Sequence, residues 1–435
     1  MSNKWYKKGI DLMKKIDDTL APYAVKNLNK NIRRRYSENI INENDNRTCF
    51  QHDRDRIIHS RAFRRLRSKT QVFLSAKGDH YRTRLSHTLE VSQIARSIAR
   101  VFSLNEDLVE AIALGHDLGH TPFGHIGERI LNEILSGDKM ITQKCGGFKH
   151  NYNSLKVVDS FEKSYNDFRG LNLTNYTREG ILKHTNLYFN GSRIYDPKLD
   201  LDELNTDLDV PTFLEGQVVA IADEIAQITH DLEDAFRAGI ISIDDKDLNE
   251  IKIFNQAREN TQTKVDMNAQ QIRSGLIRDM INRLIQDVIN ATAVNLEKMS
   301  FNPENDKLFY WIVDFSEEMK KQYEIIKKIL TEKLMYSFEI NRMDKKGKMY
   351  IEKLFEAYYL NPDRLPDYVF EKYNYLSGDR KITRSTFDKE TISYLQNDIV
   401  FIRTIAEHIA GMTDIYAIDE YRRLYLPDVT SITNI

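Results

Sequence analysis

Cysteine, proline and long apolar runs are nearly missing from this chain. Only Cys49 and Cys145 stand among its 435 residues. Two isolated thiols build neither a disulfide framework nor a cysteine-ligated zinc site. Eight prolines and 18 glycines supply few obligatory breaks, which predicts long helices and a minority of loop. No stretch reaches the apolar length of a membrane span, and the opening Met-Ser-Asn-Lys-Trp-Tyr-Lys-Lys lacks the apolar centre of a signal peptide. A reducing, cytoplasmic setting with no membrane partner is expected. Charge of one sign is also lacking. The net charge of -2 gives no global reason for a nucleic-acid or membrane surface. Locally the balance differs, because ten Lys or Arg lie from Arg54 to Arg84 against Asp55 and Asp79 alone. Such a basic segment in a neutral chain suits a local anionic ligand, with many of its side chains forming a solvated, salt-bridged helix face.

Helical spacing dominates what is present. Leu85, Leu89, Ile94, Ile98 and Val101 predict an amphipathic helix over about 84–102. Leu108, Ile112 and Leu114 lead a second helix into His116, and Ile126, Ile130, Leu131 and Ile134 mark a third. Pro122 and Gly124 separate those two. Further helices are expected at about 211–237, 268–298, 306–338, 346–360 and 388–411. Residues 136–149 read as a loop. Residues 186–210, with Asn-Gly at 190–191, read as a hairpin or excursion, and 241–265 as a polar crossing segment without regular structure. The fold class expected is mainly α, with at most short hairpins. The chain divides into an N-terminal extension (1–50), a core (51–240) and a helical C-terminal lobe (241–435), with no clear linker.

Histidine is scarce but concentrated: eight of the 11 lie between His52 and His150. The run Gly115-His116-Asp117-Leu118-Gly119-His120-Thr121-Pro122-Phe123-Gly124-His125-Ile126-Gly127-Glu128 is the densest part. Imidazole with carboxylate is the donor set of a metal-centred hydrolytic site. His116 and Asp117 are adjacent, so both face one ion only near a helix end or with splayed side chains. His87 on the preceding helix and Asp223 on a later one complete a mixed N/O set. Alone, either histidine reads more readily as a hydrogen-bonded core or surface residue than as a ligand. His120, His125 and Glu128 are surplus to four ligands. His125 and Glu128, three apart, share a helix face, and a carboxylate on one imidazole nitrogen raises the basicity of the other. The competing reading is a helix-capping Glu128 beside an exposed His125.

Beyond these residues, Arg56-Ile57-Ile58-His59-Ser60-Arg61-Ala62-Phe63-Arg64-Arg65-Leu66, Lys69-Thr70-Gln71-Val72-Phe73, Arg82-Thr83-Arg84-Leu85-Ser86-His87, Gly146-Gly147-Phe148-Lys149-His150-Asn151 and Gly411-Met412-Thr413-Asp414 resemble one family. It is the HD superfamily of metal-dependent phosphohydrolases, in its deoxynucleoside triphosphate triphosphohydrolase (dGTPase-like) branch. The likeness covers about 50–240 and returns at 400–425. It implies metal ligands His87, His116, Asp117 and Asp223, a catalytic pair His125 and Glu128, and His120 and His150 near the phosphates. The metal could be Mn, Mg, Fe, Co or Zn. Arg84, one turn before His87, is the expected phosphate contact, with Arg82 second. Gln71 and Asp231 match the residues that clasp the sugar 3′-hydroxyl. Gln227 departs from the family pattern, which has a tyrosine contacting sugar and phosphate there. The implied reaction is hydrolysis of a dNTP to deoxynucleoside and triphosphate by water attack at the α-phosphorus. The implied partners are the dNTP substrate, a dNTP activator at a second site, and further copies of the chain in a tetramer or hexamer. The basic segment leaves single-stranded nucleic acid open as a partner. The rival readings are another HD phosphohydrolase, such as a nucleotidase or phosphodiesterase, and a catalytically inactive dNTP sensor.

Overall fold

The computed structural model describes residues 3–38, 46–71, 82–189, 191–262, 268–299, 307–378 and 381–426. Asn190, Val72 and Phe73, together with positions 263–265 and 306 of the expected segments, lie outside the described residues. The described part is mainly α, as expected, and its one sheet is an antiparallel pair, β1 (Tyr188–Phe189) with β2 (Ser192–Arg193). In chain order the helices are α1 (Asn3–Thr19), α2 (Cys49–Ile58), α3 (Arg61–Arg65), α4 (Arg84–Val101), α5 (Glu106–Gly115), α6 (His125–Leu135), α7 (His150–Lys156), α8 (Asn175–Lys183) and α9 (Leu214–Arg237). They continue as α10 (Lys252–Gln262), α11 (Ala269–Lys298), α12 (Glu317–Ile329), α13 (Phe338–Leu360), α14 (Asp367–Ser377), α15 (Lys389–Asn397), α16 (Ile399–Ala410) and α17 (Asp414–Tyr425).

Local chemistry sets the ends of the helices that matter most. Thr83 caps α4 with a reciprocal Ser86 contact, and Asn105 caps α5 through the Leu108 amide. α6 starts after Phe123 and Gly124, both with positive φ, the conformation that glycine adopts without strain. Val91, Ile94, Ala95 and Ile98 of α4 pack with Leu108, Val109 and Ile112 of α5 and Val218, Val219, Ala222 and Ile225 of α9. Each such side chain contributes on the order of 1.5–3 kcal/mol when fully buried. α9 is buried on nearly every face, which makes it the central helix.

This first hydrophobic cluster runs on through α10, α11 and α12 to Ile340. A second joins α6 to α13, α14 and α16, with Ile130 and Leu131 among Leu354, Phe355 and Ile405. Apolar packing therefore crosses residue 240 in two places.

Three expectations need correction. Residues 252–262 are helical: Ile253, Phe254 and Ala257 make a narrow apolar stripe that is buried with Leu276 and Met280 of α11 in the first cluster. The helix expected from 306 begins only at Glu317. The preceding segment is drawn out along α9, where the Ile312 and Val313 amides donate to Gln217 Oε1 at 2.8 and 3.1 Å. The span 388–411 is two helices, because the Asp398 side chain caps a new start through the Val400 amide. Among the described residues, no helix is long and apolar enough to cross a membrane.

Candidate active site

Three helices deliver the metal-ligand candidates. His87 lies one turn into α4, Asp223 in the middle of α9, and His116 is the residue that ends α5. Asp117 follows in the turn, where leaving the helix lets adjacent side chains converge. His87 Nε2 stands 2.9 Å from Asp223 Oδ1, and His116 Nε2 stands 3.4 Å from Asp117 Oδ1 and 3.7 Å from Asp223 Oδ1. His116 is fully buried, and its Nε2 has no hydrogen-bond partner. Its other nitrogen, Nδ1, donates to Ala113 O at 2.6 Å, which turns a bare Nε2 lone pair toward the carboxylates.

A second chain of contacts does the same for His87. Glu90 is hydrogen-bonded to His230 Nε2, and His230 Nδ1 stands 3.3 Å from His87 Nδ1. With His230 donating to Glu90, His87 donates to His230 and keeps its Nε2 lone pair for the site. Two imidazoles and two carboxylates, one nitrogen of them orphaned, are the donor set of a divalent cation. Burial alone would raise Asp117 and Asp223. For Asp117, His116, His120 and Arg84 hold the carboxyl well below its usual range, and for Asp223 His87 and His116 do so.

The chain belongs, moreover, to a known family. Residues 84–228 match the HD domain, and residues 313–389 match the phosphohydrolase-associated domain. The chain is 40% identical over 416 residues to a deoxyguanosinetriphosphate triphosphohydrolase-like protein of Nitrosomonas europaea, covering 93% of this chain and 98% of that one. Proteins of the same description from Geobacter sulfurreducens (39% over 386 residues, 88% and 90%) and Ralstonia pickettii (39% over 416, 95% and 96%) are similar throughout. It is a member of the deoxyguanosinetriphosphate triphosphohydrolase-like family. Membership and the donor set together make it a metal-dependent phosphohydrolase.

Within this dGTPase-like chain the remaining candidates fall into place unevenly. Arg84 is buried and paired with Asp117 Oδ2 at 2.7 Å, but its Nε and second terminal nitrogen have no partner. His120 Nε2 is 2.9 Å from Asp117 Oδ1, its Nδ1 is unpartnered, and its ring stacks on His150 at 3.8 Å. Burial, then Arg84, pushes His120 well below the usual imidazole range.

The expected Glu128–His125 hydrogen bond is not made. Glu128 is buried and accepts from His150 Nδ1 at 2.6 Å, whereas His125, the first residue of α6, leaves its side chain exposed. Shared helix facing brings Glu128 and His125 near, but a partner from α7 reaches the carboxylate first. His184 Nδ1 lies 2.8 Å from Ile181 O, so its Nε2 is left to face His150 Nε2 at 3.1 Å. His150 thus reaches Glu128 through one ring nitrogen and His184 through the other.

A cavity of about 500 Å³ opens on Asp223 and carries Gln227 and Asp231 along the same face of α9. Asp231 Oδ1 is buried without a partner, and burial, then Asp234 and Asp223, pushes its carboxyl up to about 7. Gln71, also buried with Oε1 unpartnered, lies beside Gly124, and its backbone oxygen is 3.5 Å from where a Cβ on that glycine would stand. Gln71 does not line this cavity. Of the basic segment, Arg54, Arg56 and Arg82 are engaged by acidic side chains, and Lys69 is buried on the His120 and Ala410 carbonyls.

Four site residues escaped the sequence reading: His184, His230, Tyr323 and Lys327. His230 had a usable signal, since it adjoins Asp231 and sits seven residues beyond Asp223 on one helix. Tyr323 and Lys327, on α12, had none. They face Gln227 and Asp231 across the cavity, and burial, then Glu224 and Asp223, raises the Tyr323 hydroxyl.

Proposed function

We propose that this chain hydrolyses a deoxynucleoside triphosphate to deoxynucleoside and intact triphosphate. The observation that carries this reading is the set of unmet polar atoms around the ligand cluster. Two Arg84 nitrogens and His120 Nδ1 are buried without partners beside Asp117. A buried guanidinium with free N–H groups calls for an anion, and phosphate oxygens fit its fork. Orphaned Asp231 Oδ1, with its carboxyl titrating near neutrality, suits a sugar hydroxyl at the far end of the cavity.

In this reading His87, His116, Asp117 and Asp223 hold the divalent ion. When bound, that ion supplies Lewis-acid charge and lowers the pKa of water. Arg84, His120 and His150 bind the phosphates and stabilise charge developing on them. His125, exposed at the start of α6, carries the proton exchanged with the 5′-oxygen or positions the attacking water. Glu128 acts on the phosphate side through His150, and without a hydrogen bond its charge favours the protonated form of His125 against burial and Arg84. Asp231 meets the sugar hydroxyl within the cavity, and Gln227 occupies the family's tyrosine position with Tyr323 opposite.

The test is one product-resolved assay with Mn²⁺ and each dNTP, singly and in pairs. Tripolyphosphate and deoxynucleoside are expected. Orthophosphate released from a monophosphate overturns the reading in favour of a nucleotidase, and tight dNTP binding without product overturns it in favour of a sensor.

A further inference from the structure

Two helices of this fold end on a histidine built in the same way. His116 closes α5 and donates Nδ1 to Ala113 O, three residues back, at 2.6 Å. His184 closes α8 and donates Nδ1 to Ile181 O, also three residues back, at 2.8 Å. In both rings the remaining nitrogen is turned off the helix end with its lone pair outward, the way metal-ligating imidazoles are held. His116 belongs to the ligand set already described. His184 belongs to none, although it is 5% exposed and its ring centre lies 5.0 Å from that of His116.

What His184 Nε2 faces is another nitrogen, His150 Nε2, at 3.1 Å. The opposite nitrogen of His150 is committed, because Nδ1 donates to Glu128 Oε2 at 2.6 Å. The plane of the His150 ring is fixed as well, by stacking on His120 with 3.8 Å between ring centres. Two imidazoles that each donate from Nδ1 point lone pair at lone pair. That arrangement calls for a positive charge shared by the two nitrogens. The spacing suits an ion. Two ligands about 2.1 Å from a metal stand roughly 3.0 Å apart at an octahedral angle and roughly 3.4 Å apart at a tetrahedral one.

A carboxylate completes the set. The ligand atoms of Asp117, His150 and His184 all lie within 4.8 Å of one another, and all three side chains are buried. Asp117 also stands in the first set, with Oδ1 3.4 Å from His116 Nε2. A carboxylate offers about four lone-pair sites. Arg84 takes one on Oδ2 and His120 one on Oδ1, which leaves each oxygen free to touch an ion.

From these observations we propose that His150, His184 and Asp117 hold a second divalent cation, with Asp117 bridging it to the ion held by His87, His116 and Asp223. Two imidazoles in the set suit a transition-metal ion over Mg²⁺ or Ca²⁺. Glu128 orients His150 for this ion as the Ile181 carbonyl orients His184. The added charge stands where His150 faces the phosphates in the reading above, beside Arg84 and His120. A pair of ions can clamp a phosphoryl group from two sides. The claim rests on the ligand cluster and not on which phosphate ester is cleaved, so a metal count and a product assay fail separately.

Titrating the metal-free full chain with Mn²⁺ tests it. Bound ion is counted from the loss of the free-ion EPR signal, and the bound signal is recorded frozen. Wild type is expected to take up two Mn²⁺ per chain and to give the broadened signal of a spin-coupled pair. His184→Ala and His150→Ala should each take up one, with the sharp hyperfine pattern of an isolated Mn²⁺. The wild-type count and coupling need no variant, so they decide the matter even if a buried histidine cannot be replaced without unfolding. One Mn²⁺ per wild-type chain with an uncoupled signal overturns the inference and leaves a proton shared by His150 and His184. Two Mn²⁺ retained by both variants also overturns it, because the second ion is then held elsewhere.

Discussion

Gly119 sits where the metal-ligand loop is pressed against α7, and Gly119→Ala tests whether that contact positions the site. A Cβ at this residue would stand 2.1 Å from the Ser154 amide nitrogen and 2.5 Å from both Asn153 C and His150 O. All three are backbone atoms, so no side chain can swing aside. Restoring ordinary contact at about 3.4 Å requires a shift of roughly 1.3 Å (3.4 − 2.1) between loop and helix. The loop carries His116, Asp117 and His120, while α7 carries His150, so the two halves of the site separate by that distance. The shift also stretches three hydrogen bonds of 2.7–2.8 Å that tie His116 and Gly119 to Asn153 and Ser154. Overpacking of this kind costs about 1–3 kcal/mol, and a misplacement of about 1 Å costs on the order of a hundredfold in rate. The assay pairs a thermal melt with turnover at saturating Mn²⁺. Gly411→Ala is the control: this residue ends α16 with helical φ −71, and a Cβ there meets only two carbonyl oxygens at 3.4 Å. Gly119→Ala melting and turning over like wild type would refute the claim that loop–helix contact sets the site.

Two further outcomes follow from other parts of the structure. His125→Ala should abolish turnover while metal and dNTP stay bound, whereas Asp117→Ala should lose the metal too, because it removes a ligand and strips Arg84 and His120 of their shared partner. Metal content by elemental analysis with dNTP binding separates the two, and turnover surviving in His125→Ala would end its catalytic assignment. Asp196 is buried between Lys156 at 2.6 Å and Arg403 at 2.9 Å. Burial alone would raise its carboxyl, but Arg403 and Lys156 hold it at about 2. A depressed acid stabilises the fold above its unfolded value of 3.8, and that stabilisation fades as pH falls through about 2. The difference corresponds to roughly 2–3 kcal/mol. Asp196→Asn should lose about 3–5 kcal/mol at neutral pH by leaving two buried cations short of a partner, and should lack that part of the acid slope. Denaturant melts between pH 2 and 7 measure both; an unchanged acid slope in Asp196→Asn would refute the assignment.

Local spacing made much of this protein readable before any fold was known. The helix carrying His87 was marked by its apolar stripe, and the observed α4 ends one residue from the expected limit. His116 and Asp117 could share an ion only at a helix end, and α5 does end there. Asp223, Gln227 and Asp231 recur at four residues, so one face of α9 had to carry all three. Two of the three misjudged spans were decided by a distant partner, and the third by the Asp398 cap. A three-residue apolar stripe in 252–262 is too narrow to signal a helix until α11 covers it. Residues 307–316 are apolar enough for a helix, yet Gln217 and Thr212 draw their amides onto α9.

The candidate ligand residues and the helices that carry them were legible in the sequence, because each helix is marked by neighbours within a few turns of itself. The tertiary structure alone decided how the surplus polar groups pair. It gave Glu128 to His150 rather than His125, set Glu90 and His230 behind His87, and placed Tyr323 opposite Gln227. It also turned His184 Nε2 toward His150 Nε2 beside the metal loop. Those pairings join residues tens to hundreds of positions apart. Their partners are selected by which helices pack together, and no period in the chain records that choice.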